Sequence, residues 1–266
     1  MNPFASLAKA MPDRYAAQAQ LWPALLVISP LLILLCCVAG PQAPILTGLI
    51  TVASTLGIPF AIAAQARMAG KKLEERLRRQ WGGWPSMIVL RHRDQRIRPG
   101  LKQRYHEELS RRFGKPLPTA AEENDNPTDA DDRYQEVSDL LRLSLRGVVH
   151  PHLRRENIAY GFYRNALALK LPGFCAAMIA CLAGAVLAHA LIAEQPYVMP
   201  TQLLHADVPA AISMSFSLAM LIFWARQTRA HLERLSYAYA ERLYECLFET
   251  VEPPQRTDPA AGRGTA

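Results

Sequence analysis

Four long uncharged stretches stand in pairs along this chain, and a basic segment of about a hundred residues separates the pairs. The apolar runs are Leu21–Ala39, Ile45–Ala66, Leu171–Ala193 and Val208–Ala225. None contains Lys, Arg, Asp or Glu. At a rise of ~1.5 Å per residue, runs of this length cover ~27–35 Å, the hydrocarbon thickness of a bilayer. A helix apolar on all sides must be wrapped by protein or by lipid, and the rest of the chain offers too little apolar surface to wrap four. The pattern therefore predicts an all-α membrane protein. Two transmembrane hairpins, 21–66 and 171–225, flank a mainly helical cytoplasmic domain spanning 67–170 between the second and third spans. A tail over 1–20, a cytoplasmic helix over 226–249 and a disordered end over 250–266 complete the expected organisation.

Charge sets the expected orientation. The central segment carries 22 Lys and Arg against 14 Asp and Glu. The hairpin turns 40–44 and 194–207 contain no base. Since Lys and Arg resist translocation, both termini and the central segment are expected in the cytoplasm, with the chain in a bacterial inner membrane. The short interval between the first two runs reads as a helical hairpin, not a signal peptide. The five cysteines, four in spans and Cys246 in a cytoplasmic helix, imply no disulfide framework.

Within the membrane, the second span places Thr47, Thr51, Ser54 and Thr55 along one helix face, and the fourth repeats this with Ser213 and Ser217. Two readings stay open for these hydroxyls. They either bond back to their own helices within tight packing, or line an aqueous path in an oligomer, since one chain has too few helices to enclose a wide pore. The third span offers a small-residue ladder at Gly173, Ala177, Cys181 and Gly184/Ala185. Acidic or basic groups are absent from mid-membrane, which disfavours an ion-coupled transporter.

In the cytoplasmic segment the second span is expected to continue as a helix through Gln80, stopped by Gly82-Gly83. Met87–Leu90 is strand-like, Leu101–Phe113 is helical with Gly114 as its stop, and Ala120–Pro127 is a polar loop. Thr128-x-x-Asp131 resembles a capping box opening a helix to about Val149. The fourth span is expected to run on unbroken through Phe248. Eight bases, Arg91, Arg93, Arg96, Arg98, Lys102, Arg104, Arg111 and Arg112, crowd one stretch of 22 residues. Arg meets phosphate with a planar fork, so the cluster reads either as a binding surface for a nucleotide, nucleic acid or anionic headgroup, or as a solvated face that enforces topology. No Gly-rich phosphate loop or other catalytic motif occurs, and neither enzyme activity nor a cofactor is expected. The acids around Asp125–Asp132 do not fit a calcium loop, and His150-Pro151-His152 reads as a structural turn, not a metal site.

The segments Gly82-Gly83-Trp84-Pro85, Leu90-Arg91-His92-Arg93-Asp94, Ala130-Asp131-Asp132-Arg133-Tyr134 and Glu156-Asn157-Ile158-Ala159-Tyr160-Gly161-Phe162-Tyr163-Arg164-Asn165 resemble a widespread family of bacterial multi-pass membrane proteins, with Tyr163 where that pattern has Arg. The two-plus-two architecture also resembles the four-helix pore-forming effectors of anti-phage systems, including those of Hailong type. This likeness implies a homo-oligomeric channel opened or closed by a nucleotide or oligonucleotide, made by a neighbouring nucleotidyltransferase. From the residues themselves, Glu156, Asn157, Tyr160, Gly161, Phe162, Arg164 and Asn165 form an interfacial motif. Its aromatics suit a membrane belt, Gly161 a bend, and Arg164 and Asn165 either headgroups or a neighbouring cytoplasmic helix. The alternative to a channel is a non-conducting scaffold that recruits a cytoplasmic partner or nucleic acid.

Overall fold

A computed structural model describes residues 17–38, 58–147, 150–188, 191–192, 195–198 and 208–249. A π-helical turn, Ala17–Leu21, leads into α1 (Trp22–Val38), whose mid-helix Pro30 is buried. Helix α2 (Ile58–Trp81) is followed by the single turn α3 (Pro85–Ile88), then α4 (Pro99–Phe113), α5 (Ala120–Asp125), α6 (Pro127–Ser144) and α7 (Pro151–Ala168). After α8 (Lys170–Leu187), a short antiparallel pair, β1 (Leu191–Ile192) and β2 (Gln195–Val198), precedes α9 (Val208–Ala225) and α10 (Arg229–Glu245).

Among the described residues, three helical segments, Gln18–Val38, Lys170–Leu187 and Val208–Ala225, are long and apolar enough to cross a membrane. The chain is thus consistent with a membrane protein. Most of the expected second span, the first hairpin turn and all of the second except 195–198 lie outside the described residues. Helices α1, α8 and α9 pack together, while Leu171, Ile179, Leu182, Ile212, Leu218 and Ile222 face outward. The α8–α9 seam is built on small residues. A Cβ on Gly173 would lie 2.2 Å from the Trp224 ring, and one on Gly184 would lie 2.8 Å from Met214. The buried ladder runs Gly173, Ala177, Ala180 and Gly184 and leaves Cys181 to one side. Steps of four alone drift around a 3.6-residue helix, whereas alternating four and three holds one face.

The core of the domain outside the apolar helices collects Met87–Leu90, Ile97, Tyr105, Leu109, Tyr134, Val137 and Leu141 with Tyr237, Leu243, Tyr244 and Leu247 from α10. The last helix therefore belongs to this domain as much as to the fourth apolar run. Tyr244 is wholly buried, donating to the Ser86 carbonyl at 2.7 Å and pairing with the Ser138 hydroxyl at 2.6 Å.

Several expected boundaries move. Met87–Leu90 is not a strand: Pro85 at the first helical position starts a turn whose apolar residues all go inward. The capping box is Thr119-x-x-Glu122, which opens α5 within the segment expected as loop. Helix α6 then begins at Pro127, capped by the Asn126 side chain, so Thr128 is already helical and Asp131 is free for another task. The fourth apolar helix does not run on to Phe248. It ends at Ala225, and Thr228 caps a new helix by accepting from the His231 amide at 3.3 Å. Lys170, at the start of α8, closes this break by donating to the Ala225 and Gln227 carbonyls at 3.1 and 2.9 Å, a cation at a helix C-terminus. The α7–α8 bend likewise falls at Leu169, one turn beyond Asn165, not at Gly161.

Candidate functional site

The basic cluster divides into residues that hold the polar helical domain together and residues left on its surface. Arg91 is buried and forks onto Asp131, with both N–O distances 2.7 Å, and donates again to the Gly82 carbonyl at 2.7 Å. Gly82 and Gly83 have φ of +76° and +146°, so only glycine suits this turn without strain. Three of the sequence segments singled out above thus meet at a single guanidinium. Beside it, Glu123 is fully buried and accepts from the His92 amide at 2.6 Å, the Tyr134 hydroxyl at 2.9 Å and the Arg93 amide at 3.3 Å. Burial works against its charge, but these donors and the Arg93 guanidinium win and hold the carboxyl below the ordinary value.

Lys102 is also buried, donating to the Arg91 and Asp94 carbonyls. Burial lowers its pKa, partly offset by Asp94 and Glu123. Arg96 pairs with Asp94 and lies over the Tyr237 ring at 3.9 Å from its centroid. Arg93 reaches Asp131 at 3.4 Å, and Arg111 pairs with Glu108. Arg98, Arg104 and Arg112 remain exposed. Arg98 lines a cavity of about 630 Å³ with His92, Gln95, Lys102, Gln103 and His106, ample room for a nucleotide-sized molecule. Asp94 and Glu107 also line it, so its charge is mixed. Burial pushes His106 down to about 4, so at neutral pH its uncharged ring donates from Nε2 to the Leu90 carbonyl at 2.8 Å.

A second centre joins the polar helical domain to the apolar helices. Glu74 on α2 accepts from Arg164 at 2.9 Å and from the Tyr160 hydroxyl, both on α7. Asn165, with no exposed surface, donates to the Ala19 carbonyl in the N-terminal turn at 2.6 Å and receives Arg164 at 3.3 Å. Gly70 on α2 lets this amide approach: a Cβ there would sit 1.9 Å from Asn165 Oδ1. Of the two orientations open to Arg164 and Asn165, they take the neighbouring helix and chain turn. Tyr163 stacks against His231 at 4.4 Å, and Phe162 packs with the Trp224 cluster. Gly161 is buried mid-helix, and Glu156 is half-buried one turn before Tyr160. Asn157, Tyr160 and Arg164 line a smaller cavity of about 240 Å³ with Glu74, Trp84, Arg142 and Tyr239.

Of the hydroxyls expected along a path, Thr47, Thr51, Ser54 and Thr55 lie outside the described residues. Ser213 and Ser217 are fully buried in the bundle, with neither hydroxyl hydrogen-bonded among the described residues. Sequence reasoning missed Glu123 as a buried anchor. Its legible signal was the Thr119-Ala-Ala-Glu122 cap, which fixes a helix whose next residue turns inward. Comparison with protein-family models, curated proteins and solved structures finds no match for this chain.

Proposed function

We propose that this chain is the subunit of an oligomeric membrane channel or membrane-disrupting effector of bacterial defence, set by an anionic nucleotide or oligonucleotide on its cytoplasmic domain. Both termini and that domain lie on the cytoplasmic side of the inner membrane in this reading. The observation that carries it is the Arg164–Glu74 ion pair at 2.9 Å, with side chains only 10% and 13% exposed. Through it, α7, which leads into an apolar helix, is tied to α2, so a shift in the domain reaches two membrane-directed elements together. The ligand-facing groups are the exposed Arg98, Arg104 and Arg112 with Gln95 and Gln103. Arg91 and Lys102 are spent on the fold. The second-span hydroxyls Thr47, Thr51, Ser54 and Thr55 would line the path in the assembled oligomer, while Ser213 and Ser217 are buried within one chain's own bundle.

Purified protein in dye-loaded liposomes should leak when a cyclic dinucleotide or short oligonucleotide is added. Arg98→Glu with Arg104→Glu should abolish the response without altering oligomer size. Silence toward every nucleotide and oligonucleotide tried would sink the proposal. A scaffold reading draws on Leu143, 55% exposed beside the acidic α6 face of Asp132, Glu136 and Asp139. It predicts a retained cytoplasmic partner, lost on Leu143→Glu, and no leak.

A further inference from the structure

Helices α7 and α10 pack along one another. One runs into the third apolar helix and the other away from the fourth, so they are antiparallel. Their membrane-side ends meet where the Tyr163 hydroxyl donates to the Arg226 carbonyl at 3.3 Å and accepts from the Thr228 amide at 3.4 Å. At the far ends, His150 caps the start of α7, and Cys246 and Glu249 follow α10. The ligand atoms of these three residues all lie within 4.8 Å of one another. His150 Nδ1 is 3.0 Å from a Glu249 carboxylate oxygen. His150 and Cys246 are 6% and 2% exposed, while the Glu249 side chain reaches solvent.

We infer that His150, Cys246 and Glu249 form a zinc site that clamps the far ends of α7 and α10. The donor set is one imidazole, one sulfur and one carboxylate, the mixture that suits tetrahedral Zn²⁺. Bond lengths of about 2.0–2.3 Å to such ligands put neighbouring donors about 3.3–3.7 Å apart. The His150–Glu249 pair is already that close, so closing the cluster calls for about an ångström of movement by the sulfur. A thiolate and a carboxylate together neutralise the dication. The second ring nitrogen of His150, Nε2, is buried without a hydrogen-bond partner among the described residues. Nδ1, the nitrogen beside Glu249, is the one that would ligate the metal, and Nε2, on the other side of the ring, keeps the proton.

Without metal, the Cys246 thiol donates to the Arg242 carbonyl at 3.3 Å. Binding releases that proton to solvent and forms the Zn–S bond. A water molecule takes the fourth position from the open Glu249 side. His152, two residues from His150, is exposed and takes no part.

Co²⁺ is the probe. Full-length, metal-stripped protein in detergent micelles should develop a thiolate-to-cobalt charge-transfer absorption that saturates at one Co²⁺ per chain and is bleached by Zn²⁺. About one proton should be released per metal bound. Cys246→Ser should remove the band, and Glu249→Gln, which alters an exposed group, should weaken Co²⁺ binding by about tenfold or more with helicity unchanged. The absence of the band overturns the site. So does a band that survives Cys246→Ser and belongs to Cys36, Cys37, Cys175 or Cys181, or an affinity unmoved by Glu249→Gln.

Discussion

Substituting Gly70 by alanine tests the junction between α2 and α7. The new methyl would sit 1.9 Å from Asn165 Oδ1, 3.0 Å from its Cγ and 3.2 Å from Arg164 Nε. No rotation of a methyl relieves such a contact, so the Asn165 amide must leave its place and give up the 2.6 Å bond to the Ala19 carbonyl. Overpacking of this kind costs about 1–3 kcal/mol. A buried carbonyl and amide stripped of partners add about 1–3 kcal/mol. Alanine returns about 1 kcal/mol through helix propensity. The net loss is about 1–5 kcal/mol, a fall in Tm of roughly 2–20 °C for a chain of this size. Thermal unfolding in detergent, followed by circular dichroism, measures it. Gly100→Ala, where a Cβ meets nothing within 4 Å, is the control and should be neutral or slightly stabilising. In Asn165→Ala the obstructing amide is gone, so adding Gly70→Ala to that background should cost at least ~1 kcal/mol less than it does in the native chain. A Gly70→Ala protein as stable as the Gly100→Ala control, or fully additive effects in the pair, would refute the close approach.

Two further outcomes follow from the polar helical domain. Burial holds His106 at about 4, below its ordinary value of 6.5. Its uncharged state thus contributes stability in full above pH 6.5, and that share is lost as pH falls toward 4. On the order of 2 kcal/mol is at stake after discounting the partial exposure of the ring. His106→Gln should flatten the Tm profile over that window, and a wild-type profile already flat there would exclude the assignment. Arg91→Lys keeps the charge but cannot fork onto Asp131 while reaching Gly82. It should lower stability by about 3 kcal/mol in denaturant titrations, and a loss below ~1 kcal/mol would show that the fork does not anchor the domain.

What could be read from the sequence was periodic or local. The apolar runs, the stop at Gly114 with φ of +64°, and the α6 stripe of Tyr134, Val137 and Leu141 follow from spacing alone. The capping box expected at Thr128 ends in Asp, whereas Thr119-Ala120-Ala121-Glu122 fits the template in full, and Asn126-Pro127 starts α6 before Thr128. Basic density misled for a different reason. Arg91 finds its carboxylate 40 residues away, and Arg96 stacks on Tyr237, so counting charges in a window cannot tell an anchored guanidinium from a free one. The break after Ala225 carries no glycine or proline, only Thr228, a weak start signal. It rests on Lys170, which lies 55 positions earlier than the carbonyl it serves. The His150–Cys246–Glu249 cluster spans too wide a separation for any motif to announce it.

The interruptions at Leu169 and Gln227 sit side by side, bridged by Lys170, and together they draw a crease across the molecule. Neither α7 nor α10 can drive its neighbouring apolar helix as a piston drives a rod, because the backbone hydrogen-bond ladder stops at the fold line. Helix α2 is built otherwise: it runs without a break from Ile58 to Trp81. Any rocking of the polar helical domain about that line would find hinges at two helices and be carried as leverage by the third.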